Sequence, residues 1–179
     1  MYKFGAASPD ELIVFGAARP GYDDRSVRRW IDFIKQQEIQ YICCLLTDRQ
    51  LDRYSNLLDI YRQEFGADRV CWAPIEDFQL CELSMLTGQI LPFLATADRY
   101  HQKVVVHCSG GIGRTGHVLA AWLVFRSNYS NRSAIFTVIK TGRNPYEAAI
   151  FGILKGKNIF TSLRELNLLL DNCRLIVKD

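Results

Sequence analysis

Val106-His107-Cys108-Ser109-Gly110-Gly111-Ile112-Gly113-Arg114-Thr115-Gly116 is the stretch on which the reading of this chain turns. It begins inside Lys103-Val104-Val105-Val106-His107, the strongest strand signal in the sequence. A cysteine closes that run, a glycine-rich turn follows, and a helix opens at an arginine. The glycines let consecutive backbone N–H groups point inward without Cβ clashes. The helix start adds unpaired N–H donors and the positive end of its dipole. Together these make an anion cradle sized for a phosphate-like group, with Ser109, Gly110, Gly111, Ile112 and Gly113 supplying backbone donors. Arg114 adds a planar fork suited to two phosphate oxygens. Cys108 lies at the base of the cradle, where converging dipoles, the helix start and Arg114 favour the attacking thiolate. Thr115 can donate a hydroxyl hydrogen bond to that sulfur, and His107 can orient the loop through hydrogen bonds to its backbone. The chemistry suggested is attack of thiolate on phosphorus, giving a cysteinyl-phosphate that water later hydrolyses.

Other patterns compete for these residues. Gly111 to Gly116 also reads GxGxxG after a strand, but no acidic residue occurs between Gly116 and Glu147 to hold a ribose, and no strand follows the helix. A Walker A loop needs a lysine and a spacing that are absent. A purely structural cysteine leaves an arginine at the helix start unexplained.

Working outward, apolar runs and helical stripes alternate before residue 108. Glu11–Gly16, Tyr41–Leu46 and Val70–Ile75 read as strands, the last ending near Pro74. Between them, Val27, Trp30, Ile31 and Ile34 mark a helix capped by Asp24 or Ser26. Leu51, Tyr54, Leu58, Tyr61 and Phe65 mark a second helix, stopped by Gly66. Leu83, Leu86, Ile90, Phe93 and Leu94 mark a third, in which Pro92 predicts a kink or an early end. After residue 115 the chain reads as helical only: Thr115–Arg126, Arg132–Thr141, a short piece after Pro145 and a last one around Ser162–Asn172. Alternation followed by helices argues for an α/β sheet sandwiched by helices.

The 179 residues, 49% hydrophobic and 23% charged, have the balance of one globular domain spanning 1–179. No apolar run approaches the ~18 residues needed to span a bilayer, and the first residues lack a secretory signal. A net charge of +3 without a dense basic block speaks against a nucleic-acid groove. Six cysteines without an export signal favour reduced thiols in a cytoplasm. They form no CxxC pair and the histidines at 101, 107 and 117 are scattered, so no metal site is expected.

His107-Cys108, five residues, then Arg114-Thr115 resembles the HCx5R[ST] signature of the cysteine-dependent protein tyrosine phosphatase superfamily. The chain's length is similar to that of the compact dual-specificity-like branch. The resemblance implies a central mixed, mostly parallel sheet of about four or five strands with helices on both sides, and no metal or organic cofactor. It implies a phosphatase acting on phosphotyrosine, with phosphoserine and phosphothreonine also open, in protein substrates, as a cytoplasmic monomer. Cys108 is then the nucleophile, Arg114 the phosphate binder, and an aspartate general acid sits on a loop well upstream of the cysteine. Asp77, in Trp72-Ala73-Pro74-Ile75-Glu76-Asp77-Phe78, matches that loop, with Glu76 as its rival. Arg143-Asn144-Pro145 resembles a segment that packs behind the phosphate loop, though Arg143 reads equally as a surface charge. Cys43 or Cys44 is open to a reversible disulfide with Cys108 or to a simple place in the core. Phosphoinositide or RNA 5′-phosphatases, a phosphate-reading module without turnover, and a sulfurtransferase or arsenate reductase remain the alternatives.

Overall fold

The computed structural model describes residues 2–147 and 158–175. Its centre is a five-stranded sheet in the order β1-β2-β5-β3-β4, with β1 Gly5–Ala6, β2 Val14–Ala18, β3 Ile39–Cys44, β4 Val70–Trp72 and β5 Lys103–Cys108. β5 lies between β2 and β3 and pairs with both in parallel; only the edge strand β1 runs antiparallel. The fold is therefore the α/β sheet that the alternation of elements predicts, and it is mixed and mostly parallel, as the family resemblance implies.

Alternation along β5 divides the core in two. Val105 points to a cluster with α1 (Asp24–Gln36) and α3 (Leu57–Phe65), where Trp30, Ile31, Ile34 and Tyr61 are buried. Val104 and Val106 point the other way, toward α5 (Leu91–Arg99), α6 (Gly113–Ser127), α7 (Asn131–Lys140) and the last described helix, Ile159–Arg174. Each fully buried large apolar side chain contributes roughly 1.5–3 kcal/mol relative to exposure. α6 is buried on every side from Gly113 to Phe125, which explains its apolar sequence and lack of a polar stripe. The helix that opens at the glycine-rich turn is thus enclosed by its neighbours along nearly its whole length.

Several expectations are corrected. The stripe from Leu51 to Phe65 is two helices, α2 (Asp48–Leu51) and α3, because the chain turns at 52–56 and restarts at Asn56. Asp23, rather than Asp24 or Ser26, caps α1, its carboxylate accepting the Ser26 N–H at 2.9 Å. The strand read over Glu11–Gly16 is β2 and begins only at Val14, because the Glu11 carboxylate takes the N–H groups of Ile13 and Val14. The interruption expected at Pro92 is present: α4 (Leu83–Met85) ends early, a π-helical stretch, Leu86–Ile90, follows, and Pro92 falls in the first turn of α5, where its lack of an N–H is tolerated. The short helix expected after Pro145 lies mostly outside the described residues.

Candidate active site

β5 delivers Cys108 to the carboxyl edge of the sheet, where ligands bind in open parallel sheets. The turn after it fits only as glycine at one point. Gly111 has φ +67°, and a Cβ there would lie 2.6 Å from the backbone of Ala17 and Ala18. β2 is thereby pressed against the loop, and the Arg19 N–H donates to the Cys108 carbonyl at 2.9 Å. Among the described residues, no acceptor takes the backbone N–H groups of Ser109 to Gly113. Those donors are left for an anion, as the loop's composition requires.

The Thr115 hydroxyl lies 3.1 Å from the Cys108 sulfur, within its buried reach. Arg114 is buried too. Its Nη1 donates to the carbonyls of Ile75 (2.8 Å) and Leu45 (3.3 Å) and to Gln50 Oε1 (2.9 Å). Its Nη2 donates to the Ser109 hydroxyl at 3.0 Å and pairs with the Asp77 carboxylate. A buried guanidinium needs such acceptors to offset its desolvation, and these also fix the direction of its fork. Asp77 is half-exposed, and its other oxygen accepts from Gln50 Nε2 at 2.7 Å. Asp77 is therefore the acid that reaches the loop; Glu76 is exposed beside it.

Gln50 escaped the sequence reading. Its Oε1 also accepts the N–H of Thr47, the residue that starts α2, so one amide ties that helix start to both Arg114 and Asp77. The spacing Thr47-x-x-Gln50 was the available signal.

Arg143 is buried behind the loop and is no surface charge. Its Nη2 donates to the carbonyls of Lys3, Gly5 and Gly16, and its Nη1 to Thr141. Burial pushes its pKa down to about 10, while charge on Cys108 acts in the opposite direction. A Cβ at Gly16 would strike both Arg143 (2.6 Å) and Thr115 (2.8 Å), so this cation backs the residue that holds the sulfur.

His107 departs from expectation. Both ring nitrogens are buried without a hydrogen-bond partner among the described residues, so the imidazole does not orient the loop by hydrogen bonds. It packs edge-on against Trp30 and Tyr61, at 5.2 and 5.7 Å between ring centroids. All six cysteines are free. Cys44 pairs in register with His107, and burial pushes its thiol up to about 12; Cys43, hydrogen-bonded to Cys71 and buried, is also held high.

Burial pushes His107 down to about 3 and His117 to about 4, from 6.5. Below pH 6.5 the unfolded chain takes up protons that the folded chain refuses. This stability is fully present above about 6.5 and is lost as pH falls toward the folded values, by up to ~1.4 kcal/mol per pH unit for each histidine. Urea unfolding should therefore show a lower midpoint at pH 5 than at pH 7. An unchanged midpoint would mean that these imidazoles are not held neutral.

The family model for the dual specificity phosphatase catalytic domain matches residues 32–150, which include Asp77, Cys108 and Arg114. The chain belongs to this family. A rat protein, cyclin-dependent kinase inhibitor 3, is 32% identical over 117 residues, covering 62% of this chain and 54% of its own. The match thus spans about half the length of that relative. Among solved structures, Tk-PTP in its active form is 25% identical, covering 87% of this chain and 91% of that one, with a TM-score of 0.66. The kinase associated phosphatase, with its catalytic cysteine replaced by serine, is 22% identical over 92% of this chain and 89% of that one. Its TM-score of 0.71 shows the shared fold. Among the described residues, no helix is long and apolar enough to cross a membrane, and no cluster of three His, Cys, Asp or Glu is placed to hold a metal ion.

Proposed function

We propose that these residues, read as one catalytic domain, form a cytoplasmic, monomeric phosphatase that hydrolyses phosphotyrosine in proteins through a cysteinyl-phosphate. The observation that carries this reading is the Arg114–Asp77 pair over a loop whose cysteine is held by Thr115. One anion-binding guanidinium, one proton donor and one nucleophile then meet around a single phosphate.

Ser109 to Gly113 and Arg114 bind the phosphoryl oxygens. The Cys108 sulfur forms a bond to phosphorus as the ester P–O bond breaks, and Asp77 gives its proton to the departing tyrosyl oxygen. A water then attacks phosphorus, Asp77 takes its proton, the S–P bond breaks, and orthophosphate leaves with Cys108 again a thiolate. Arg114 stabilises the charge that builds on the equatorial oxygens in both steps.

The substrate reading rests on what the loop carries. It holds no lysine or arginine before Arg114, and the half-buried Ile112 lies where a second cation would serve a multiply phosphorylated headgroup. Relatives whose names include kinase inhibitor and kinase associated phosphatase also favour a phosphoprotein. Assayed side by side, phosphotyrosine peptides should exceed phosphoinositides and RNA 5′-triphosphate in kcat/KM by at least ~tenfold, about 1.4 kcal/mol. A phosphoinositide or RNA substrate that wins the panel would overturn the assignment.

A further inference from the structure

The loop that carries Asp77 runs between β4 and α4, over residues 73–82, and is tied on both limbs. On the entering limb, the N–H groups of Ala73 and Ile75 donate to the carbonyls of Cys44 (3.0 Å) and Leu45 (3.3 Å). The Ile75 carbonyl in turn accepts from Arg114 at 2.8 Å. On the leaving limb, the Cys81 N–H donates to His117 Nε2 at 3.1 Å, and both residues are buried. Arg114 and His117 stand three residues apart on α6, so one face of that helix holds both limbs. Asp77 lies in the short stretch between the two ties.

That stretch has a form it would not keep unaided. Phe78 has φ +61°, a left-handed conformation unfavourable for an aromatic residue, and the Gln79 N–H turns back to the Glu76 carbonyl at 3.1 Å. Such a turn persists where its surroundings over-determine it. His117 is suited to the task. Burial pushes its pKa down to about 4, so the ring is neutral near neutral pH and Nε2 keeps its lone pair for the Cys81 N–H. The ring hydrogen is then on Nδ1, which has no acceptor in hydrogen-bond geometry among the described residues. The carbonyl of Gly113, the last residue of the phosphate loop before Arg114, favours a proton on the ring from four residues back. The imidazole thus stands between the end of the anion cradle and the end of the acid's loop, and the catalytic cycle makes no use of its proton.

We propose that His117 is a positioning residue for proton transfer: through the Cys81 N–H it fixes the leaving limb of the loop, and with it the reach of Asp77 to the leaving-group oxygen. The inference rests on the phosphatase reading and on Asp77 as its acid, and it adds a residue that touches neither substrate nor reacting atoms. The need arises during the reaction. In the free protein Arg114 holds the Asp77 carboxylate. Once phosphate takes that guanidinium, Gln50 and the loop's own anchors remain to place the acid. A small misplacement of a catalytic group costs rate without weakening the binding of phosphate.

The test compares His117→Leu, which removes the acceptor, with His117→Gln, whose amide oxygen can take the place of Nε2. His117→Ala replaces the leucine variant if leucine does not fit. Each is assayed on a phosphotyrosine peptide and on p-nitrophenyl phosphate. His117→Leu should lower kcat by about tenfold on the peptide but by no more than about twofold on p-nitrophenyl phosphate, whose leaving group needs less protonation. The ratio of the two rates does not depend on how much of a variant is folded. His117→Gln should restore most of that ratio. On the Asp77→Asn background, where no acid is left to place, His117→Leu should change the peptide's kcat by less than about twofold. An unchanged ratio in His117→Leu, a glutamine variant as impaired as the leucine one, or a tenfold loss that persists on Asp77→Asn would overturn the positioning role. No hydrolysis of either substrate by wild type would instead defeat the phosphatase reading itself.

Discussion

Cys108→Ser should reduce turnover of p-nitrophenyl phosphate to less than about a thousandth of wild type while phosphate still binds. Serine is nearly isosteric, and its hydroxyl can still accept from Thr115, which lies 3.1 Å from the sulfur it replaces. The cradle does not depend on the sulfur: Gly111 is held by its fit against Ala17 and Ala18, and Arg114 by Leu45, Gln50 and Ile75. What changes is the nucleophile, because an alcohol is scarcely ionised at neutral pH and its oxygen is a far weaker nucleophile than a thiol sulfur. Binding and chemistry should therefore separate. Competition by inorganic phosphate for a fluorescent phosphopeptide, measured on the variant, should give a dissociation constant within a few-fold of wild type. A variant that keeps activity within tenfold of wild type would exclude a covalent intermediate on Cys108.

The separation of what was legible from what was not follows the distance in sequence over which each device is built. The loop from Cys108 to Thr115 is a local object whose strand, glycines and helix start are contiguous, so its form and its likeness to a phosphatase signature were readable directly. Asp77 was readable as one of two acids; the choice between Asp77 and Glu76 needed the guanidinium of Arg114 and the amide of Gln50, which arrive from distant segments. Arg143 shows the same limit. Its acceptors at Lys3, Gly5 and Gly16 belong to the edge pairing of β1 on β2, and a two-residue strand gives no periodicity to detect. His107 carried a loop-adjacent position in sequence, yet alternation along β5 turns its ring to the opposite face, between Trp30 and Tyr61. The break at 52–56 was hidden because the apolar stripe continues in phase through it. Apolar phase reports which side is buried, and it is silent on whether the helix is continuous.

Asp77→Asn should split the kinetic constants in a way that only its present geometry predicts. General acid catalysis contributes typically 10²–10⁴-fold, so kcat for a phosphotyrosine peptide should fall by at least ~100-fold. p-Nitrophenyl phosphate should lose less, because its leaving anion is stable and needs less protonation. The acid-requiring limb of the pH–rate profile should flatten, since the asparagine amide has no proton to lose in that range. The second effect has the opposite sign. In the free protein the Asp77 carboxylate occupies Arg114 Nη2 and must yield it to the incoming phosphate. Asparagine keeps the size and can still hydrogen-bond Gln50, but it removes the competing negative charge, so inhibition by inorganic phosphate should become tighter as turnover slows. A merely structural role for Asp77 would weaken both together, through loss of the anchor that Gln50 shares with Arg114. The control is Glu76→Gln, which removes an exposed charge without touching the pair and should leave both constants within about twofold. If Glu76→Gln carries the larger loss of kcat, the proton donor is Glu76, and the Asp77–Arg114 pair is only the resting lock on the phosphate loop.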